Sequence, residues 1–301
     1  MRPILDEFTL TCGAAKDDIT LAFSCVIDKL AGNKDEPHAA LLEMHDGTVK
    51  AIGKRNHSVV SVCYSKGAQS GPAFLGDWGK FIYFLDGEPI EEEITLERGP
   101  LRKLAWIDGA FYASGASMQV FRRDGVNQWT DISPSEKLRK EFAHQNLESI
   151  AGNNTQELYA AGEFGVVWRY DGTEWHPVQC QTNACFYTIL CANDGRVYAA
   201  GQNGTVLRGK QDDFELLCSE PGIIDIWGMA EYYGKIYLAG YTALFLLDVE
   251  DELTLIPEPL KIADSFSELS VGGDTMWSLG MKDVLIFDEE YWLKFDQVTM
   301  A

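Results

Sequence analysis

From residue 147 onward, apolar and polar positions alternate in short runs separated by turn residues. The pattern predicts strands over 147–151, 157–161, 166–170 and 174–178. Between them, Asn153-Asn154, Glu163-Phe164-Gly165 and Asp171-Gly172 supply residues that accept positive φ, as tight turns between antiparallel strands require. One four-stranded meander results. A glycine closes its second strand in Tyr159-Ala160-Ala161-Gly162, and Gly76, Gly115, Gly201, Gly240 and Gly280 hold equivalent places, at successive spacings of 39, 47, 39, 39 and 40. A period near 40 with four strands per unit predicts an all-β fold, a β-propeller whose blades bury their faces against one another.

Six such units occupy residues 57–298, and the N-terminal stretch, with strands over 19–27, 38–44 and 49–52 and a turn at His45-Asp46-Gly47-Thr48, has room for a seventh. The blades are expected at 13–56, 57–98, 99–133, 147–182, 183–221, 222–260 and 264–298, as one domain, with 32–37 an inserted loop in the first. The ring is expected to close either by 8–12 pairing with the last blade or by a strand over 291–295. The aromatic residue shortly before each glycine, such as Tyr112, Tyr159 or Tyr237, is expected to fill the wedge between blades, as are Trp129, Trp168, Trp175, Trp277 and Trp292. The long interval contains Ser133-Pro134-Ser135-Glu136, a helix start with Ser133 as cap, followed by Leu138 and Phe142 at i, i+4. A short helix over 135–145 is predicted, carrying Lys137, Arg139 and Lys140, either packed on the rim as a spacer or presented to a partner.

Tyr170-Asp171-Gly172-Thr173-Glu174-Trp175 and Arg123-Asp124-Gly125-Val126-Asn127-Gln128-Trp129 resemble the repeats of seven-bladed propellers of the photosystem-assembly-factor and sialidase-repeat type. The Asp-box of that group is not matched, because Arg122 or Arg169 stands where its serine would be. The resemblance implies architecture and no particular activity.

With 46% apolar and 12% aromatic residues the chain has ample material for a core, and 25 basic against 46 acidic residues give a formal charge of −21. Such a field disfavours nucleic acid and anionic membranes and favours a basic protein partner, unless the acidity serves solubility alone. The seven cysteines form an odd count, the first residues lack the apolar run of a signal peptide, and no apolar segment approaches the ~18 residues needed to span a bilayer. A cytoplasmic protein with reduced thiols is expected, monomeric when unbound.

His176, Cys180, Cys185 and Cys191 are the only His/Cys concentration, and their spacing fits no zinc pattern, so no metal or other cofactor is expected. Around a propeller axis the first strand of each blade matters most. Its second and third positions read Arg102 and Lys103, Glu148 and Ser149, Tyr187 and Thr188, Ile226 and Trp227, Ser267 and Glu268. Glu148 and Glu268 are the one candidate carboxylate pair, with Arg102 as an anion binder and Tyr187 assisting. The turn after each glycine presents Asp77-Trp78, Ala116-Ser117, Glu163-Phe164, Gln202-Asn203, Tyr241-Thr242 and Met281-Lys282 on one face, an aromatic-plus-charge composition suited to recognition, unless these rings fold inward. Two expectations follow. One is a non-catalytic, acidic-faced binder of a basic protein, in the manner of bacterial immunity proteins that neutralise a cognate toxin; the other is a propeller hydrolase, lyase or carbohydrate-binding protein that uses the tunnel. The acidic runs 88–93 and 248–252 are expected as solvated outer faces or as steering charge.

Overall fold

A computed structural model describes residues 7–33, 35–67, 70–219 and 224–295 and the backbone of 299–300. Seven four-stranded antiparallel meanders stand around a common axis. Blade 1 consists of Phe8–Ala15, Thr20–Ile27, Ala39–His45 and Thr48–Arg55, and blade 2 of Val59–Tyr64, Pro72–Gly76, Lys80–Leu85 and Glu88–Glu93. Blade 3 runs through Leu101–Ile107, Ala110–Gly115, Val120–Gly125 and Gln128–Asp131, and blade 4 through Leu147–Asn154, Glu157–Gly162, Val166–Tyr170 and Trp175–Gln179. Blade 5 comprises Phe186–Cys191, Val197–Gly201, Val206–Lys210 and Asp213–Cys218; blade 6, Ile226–Tyr232, Lys235–Gly240, Leu244–Leu247 and Leu253–Ile256; blade 7, Glu268–Gly272, Thr275–Leu279, Val284–Phe287 and Trp292–Lys294. The blade boundary expected at 221 and 222 and the end expected at 298 lie outside the described residues.

The repeated glycine has a steric cause. A Cβ on Gly162 would stand 1.9 Å from the Asn146 carbonyl oxygen, one on Gly201 2.0 Å from that of Cys185, and one on Gly280 1.9 Å from that of Ser265. These carbonyls belong to the chain entering the inner strand of the same blade. Gly115 and Gly201 are extended, so close backbone approach, and not a left-handed conformation, selects glycine here. The wedge positions follow the expected pattern, with Tyr112, Tyr159, Tyr237 and Trp277 buried. Trp168 and Trp175 are fully buried between blades 3 and 4, and Trp175 Nε1 donates to the Ile132 carbonyl across that seam. Trp129 and Trp292 are only half-buried.

Charged latches cross the seams as well. Arg169 pairs with Asp212 at 2.7 Å and Arg208 with Asp251 at 2.5 Å, each reaching from the third strand of one blade to the outer hairpin of the next. Arg123 pairs with the buried Glu92 at 2.6 Å and lies over the rings of Phe81 and Tyr83, while Trp129 Nε1 also donates to Glu92. The run at 88–93 is thus not wholly a solvated face. Its alternate residue turns inward because the strand is pleated.

Blade 1 and ring closure depart from the sequence expectation. Residues 8–12 do not pair with the last blade; Phe8–Ala15 is the inner strand of blade 1, antiparallel to Thr20–Ile27, and blade 1 begins before residue 13. Nor does 291–295 close the ring, since Trp292–Lys294 is the outer strand of blade 7. Closure comes from Thr299–Met300, which pairs in parallel with Thr48 and Val49, and from contacts nearer the axis. Gly13 N donates to Glu268 Oε2, Ala15 N to Ser270 Oγ and Leu10 N to the Met281 carbonyl, and Lys282 pairs with Asp28 at 2.6 Å.

The predicted helix is present but shorter, Glu136–Glu141, and its cap is Ser135, whose hydroxyl accepts from Leu138 N. Ser133 is engaged elsewhere, by Arg98 and by Val120 N. Phe142 meets Trp168 edge-on at 4.8 Å, so the segment packs on the rim. The first turn of blade 4 falls at Thr155-Gln156, after the expected Asn153-Asn154.

Two predictions follow from this packing. Gly162→Ala or Gly201→Ala forces a methyl group onto a backbone carbonyl and should lower stability by about 1–3 kcal/mol in denaturant titrations. Asp283, which accepts from Ser265 and pairs with Lys294 at 2.7 Å, gives a pH test. Burial works to raise its pKa, but these partners outweigh burial and hold it below its ordinary 3.8. Its contribution is therefore complete above pH 3.8 and is lost as pH falls through the depressed folded value. Asp283→Asn should lower the thermal midpoint at pH 7, and the deficit should shrink in acid.

Candidate partner-binding face

Because each inner strand begins where the second strand ends, the turns after the glycines and the first residues of the inner strands share one end of the ring. The inner strands carry a further regularity there. In six blades one residue is skipped in the pairing with the second strand, so two residues oppose one: Thr11, Val60, Arg102, Glu148, Tyr187 and Trp227 are the extra residues. Such bulges bend a strand and re-aim a side chain. Here they bring Arg102, Glu148, Tyr187 and Trp227, from four consecutive blades, to one level at the tunnel mouth.

The rings of Tyr187 and Trp227 stack with centroids 4.2 Å apart and planes 11° apart. The blade 6 reading was one residue out: Trp227 shares a level with Tyr187, and Gly228 stands where Trp227 was placed. Arg102 Nε lies 3.8 Å from Glu148 Oε2, beyond hydrogen-bonding distance. Burial pushes the Glu148 pKa up, Arg102 pulls it down, and Glu163 adds to the rise. Glu268 is one level deeper, paired with Lys103 at 2.8 Å. Burial opposes the charge on Lys103, but Glu268 holds its pKa above the ordinary value. Glu148 and Glu268 therefore sit in separate ion pairs at different depths, with no carboxylate couple between them.

The turn residues divide into two kinds. Trp78, Phe164 and Tyr241 are 61%, 57% and 45% exposed, and none folds inward to plug the hole. Phe164 has φ of 63°, which turns the chain so that its ring projects. Glu163 and Gln202 instead brace the backbone: Glu163 accepts from Asn146 N at 2.9 Å and Gln202 from Cys185 N at 3.3 Å. Asp77 accepts from Trp78 N, and Asn203 N donates to Asp225. Met281, which the sequence places on the same series of turns, lies close to the Tyr241 hydroxyl, and only Asp225 carried no signal in the sequence. The spacing of 40 between Tyr187 and Trp227 was the signal that places these two rings together.

The other end of the ring carries the remaining hairpins, and much of the acidity is there. Asp46, Asp86 and Asp108 occupy left-handed turn positions, each followed by a glycine also at positive φ. Asp171, Asp248 and Asp288 accept hydrogen bonds from backbone amides two or three residues on. The tunnel widens toward this end into a cavity of about 720 Å³, lined in part by Lys103, Glu268, Tyr64 and Trp106.

Burial pushes Cys180 up to about 11 and Cys25 and Cys191 up to about 12, so these thiols stay protonated. Among the described residues no three His, Cys, Asp or Glu side chains gather as for a metal ion, and no helix is long and apolar enough to cross a membrane.

No known family profile matches the chain. Among solved structures, Ycf48 bound to D1 peptide superposes with a TM-score of 0.68 at 16% identity, covering 93% of this chain and 91% of that one. Ycf48 from Cyanidioschyzon merolae gives 0.69 at 14%, covering 93% and 95%, and the WD40 propeller domain of Doa1 gives 0.70 at 12%, covering 94% of each. At these identities the likeness is one of fold. A curated protein, the immune protein Tsi7 of Pseudomonas aeruginosa, is 34% identical over 237 residues, covering 74% of this chain and 75% of that protein. The chain belongs to the family of the immune protein Tsi7.

Proposed function

We propose that this chain is a non-catalytic immunity protein that acts in the cytoplasm by holding a protein toxin against the aromatic end of the ring. One observation carries the reading. Trp78, Phe164, Trp227 and Tyr241, all at least 45% exposed, lie at a single end of the ring, where Trp227 stacks on Tyr187. Exposed aromatic rings are the composition in which binding energy concentrates. The kinship with an immune protein supplies the class of partner. The toxin is basic in this reading, steered by the net charge of −21, so association slows as salt rises. Glu163 and Gln202 shape the face by bracing its loops, whereas Trp78, Phe164, Trp227 and Tyr241 touch the partner.

A second reading, a small-molecule site in the tunnel, draws on the 720 Å³ cavity, whose size suits a ligand. Neutral and anionic sugars at millimolar concentration should leave the thermal midpoint unchanged if the first reading holds, and raise it if the second does.

The tagged chain, purified from its native host, should retain one basic protein in stoichiometric amount. Phe164→Ala and Trp227→Ala should each weaken that complex by about 2 kcal/mol or more, while Leu255→Ser on the outer edge of blade 6 should leave it intact. Recovery of the partner in equal amount with all three variants would overturn the assignment of this face.

A further inference from the structure

At the mouth of the tunnel one carboxylate is poorly served. Glu148 is held by a bulge with its side chain only 26% exposed, yet among the described residues its sole partner is Arg102, at 3.8 Å and itself 42% exposed. No hydrogen bond from any described residue reaches it. A partly buried carboxylate that meets no donor in the protein keeps its oxygens for solvent or for an incoming cation. Tyr187, at the same bulge in the next blade, lies between Glu148 and Trp227, and the stack leaves Trp227 46% exposed. Acidic groups surround the place: Glu163 on the turn of blade 4 and Asp225 before the inner strand of blade 6 add negative potential at Glu148 and Tyr187 respectively.

We propose that Glu148, Tyr187 and Trp227 form a socket for one arginine side chain of the bound partner. The inference rests on the reading that this end of the ring is the binding face, and it names what that face takes up. A guanidinium is flat and weakly hydrated and carries a fork of donors. It stacks on the face of Tyr187 turned away from Trp227, with the indole backing the phenol, while its fork meets both carboxylate oxygens, which a compact ammonium does less well. Arg102 holds the carboxylate loosely in the free protein and turns aside when the incoming side chain arrives. The unfavourable placement of Glu148 is relieved only in the complex.

The probe is the peptide acetyl-Gly-Arg-Gly-amide, with its citrulline counterpart as the uncharged isostere. Titration of each into the intact protein, followed at the indole resonance that Trp227→Phe removes, should show the arginine peptide binding about tenfold more tightly than the citrulline peptide. Glu148→Gln should erase that preference, and Asp274→Asn at the opposite end should not. Because burial raises the Glu148 pKa, its ionised form opposes folding at neutral pH, so Glu148→Gln should not lower the thermal midpoint of the free protein. A merely structural glutamate would show the reverse. Equal binding of the two peptides, or a preference that survives Glu148→Gln, overturns the socket. Failure to capture a partner from the host, with the arginine preference intact, would count against the immunity role and leave the socket standing. A captured partner held equally by wild type and Glu148→Gln would overturn the socket alone.

Discussion

The ring depends on backbone meeting backbone beside the axis. At Gly162, Gly201 and Gly280 the chain entering each inner strand passes where a methyl group would overlap a carbonyl oxygen. That contact lets an inner strand start at the end of its neighbour without an intervening side chain. The extra residue of each bulge then follows one position later, which is why Arg102, Glu148, Tyr187 and Trp227 share one level. A larger residue at the glycines would displace the strand starts, and the mouth of the tunnel with them.

How much of this was legible in the sequence depends on the kind of interaction. The glycine repeat and alternating strands were readable because close approach and pleating leave marks at fixed spacing. The skipped residues were not, because one residue added to a strand leaves its apolar content unchanged and shifts only the register. That is how Trp227 came to be read one level too deep. Glu92 looked like part of a charged run, and only the neighbouring blade, with Arg123 and Trp129, shows why it is buried. The cap at Ser135 was missed because Ser133, the better match to the helix-start pattern, is claimed by Arg98 and by Val120 N. The turn positions of Trp78, Phe164 and Tyr241 were readable but left open whether the rings point out or in, and the bracing roles of Glu163 and Gln202 depend on loops that no local pattern describes.

The two ends of the ring also differ in the origin of their charge. Aspartate accepts the left-handed conformation and bonds amides a few residues ahead, so tight hairpins gather it. Part of the net charge is thus a by-product of turn geometry at the end away from the aromatic rings. Its field still extends over the whole molecule, the aromatic end included.

Ring closure sets the order of assembly. Six seams join blades that are neighbours along the chain, but the seventh joins residues such as Gly13 and Glu268, 255 positions apart. During synthesis the N-terminal blade emerges long before its last partner and must wait with one flank uncovered. The contacts of Gly13 with Glu268, Ala15 with Ser270 and Asp28 with Lys282 then act as a clasp on a hoop, discouraging its final joint from springing open.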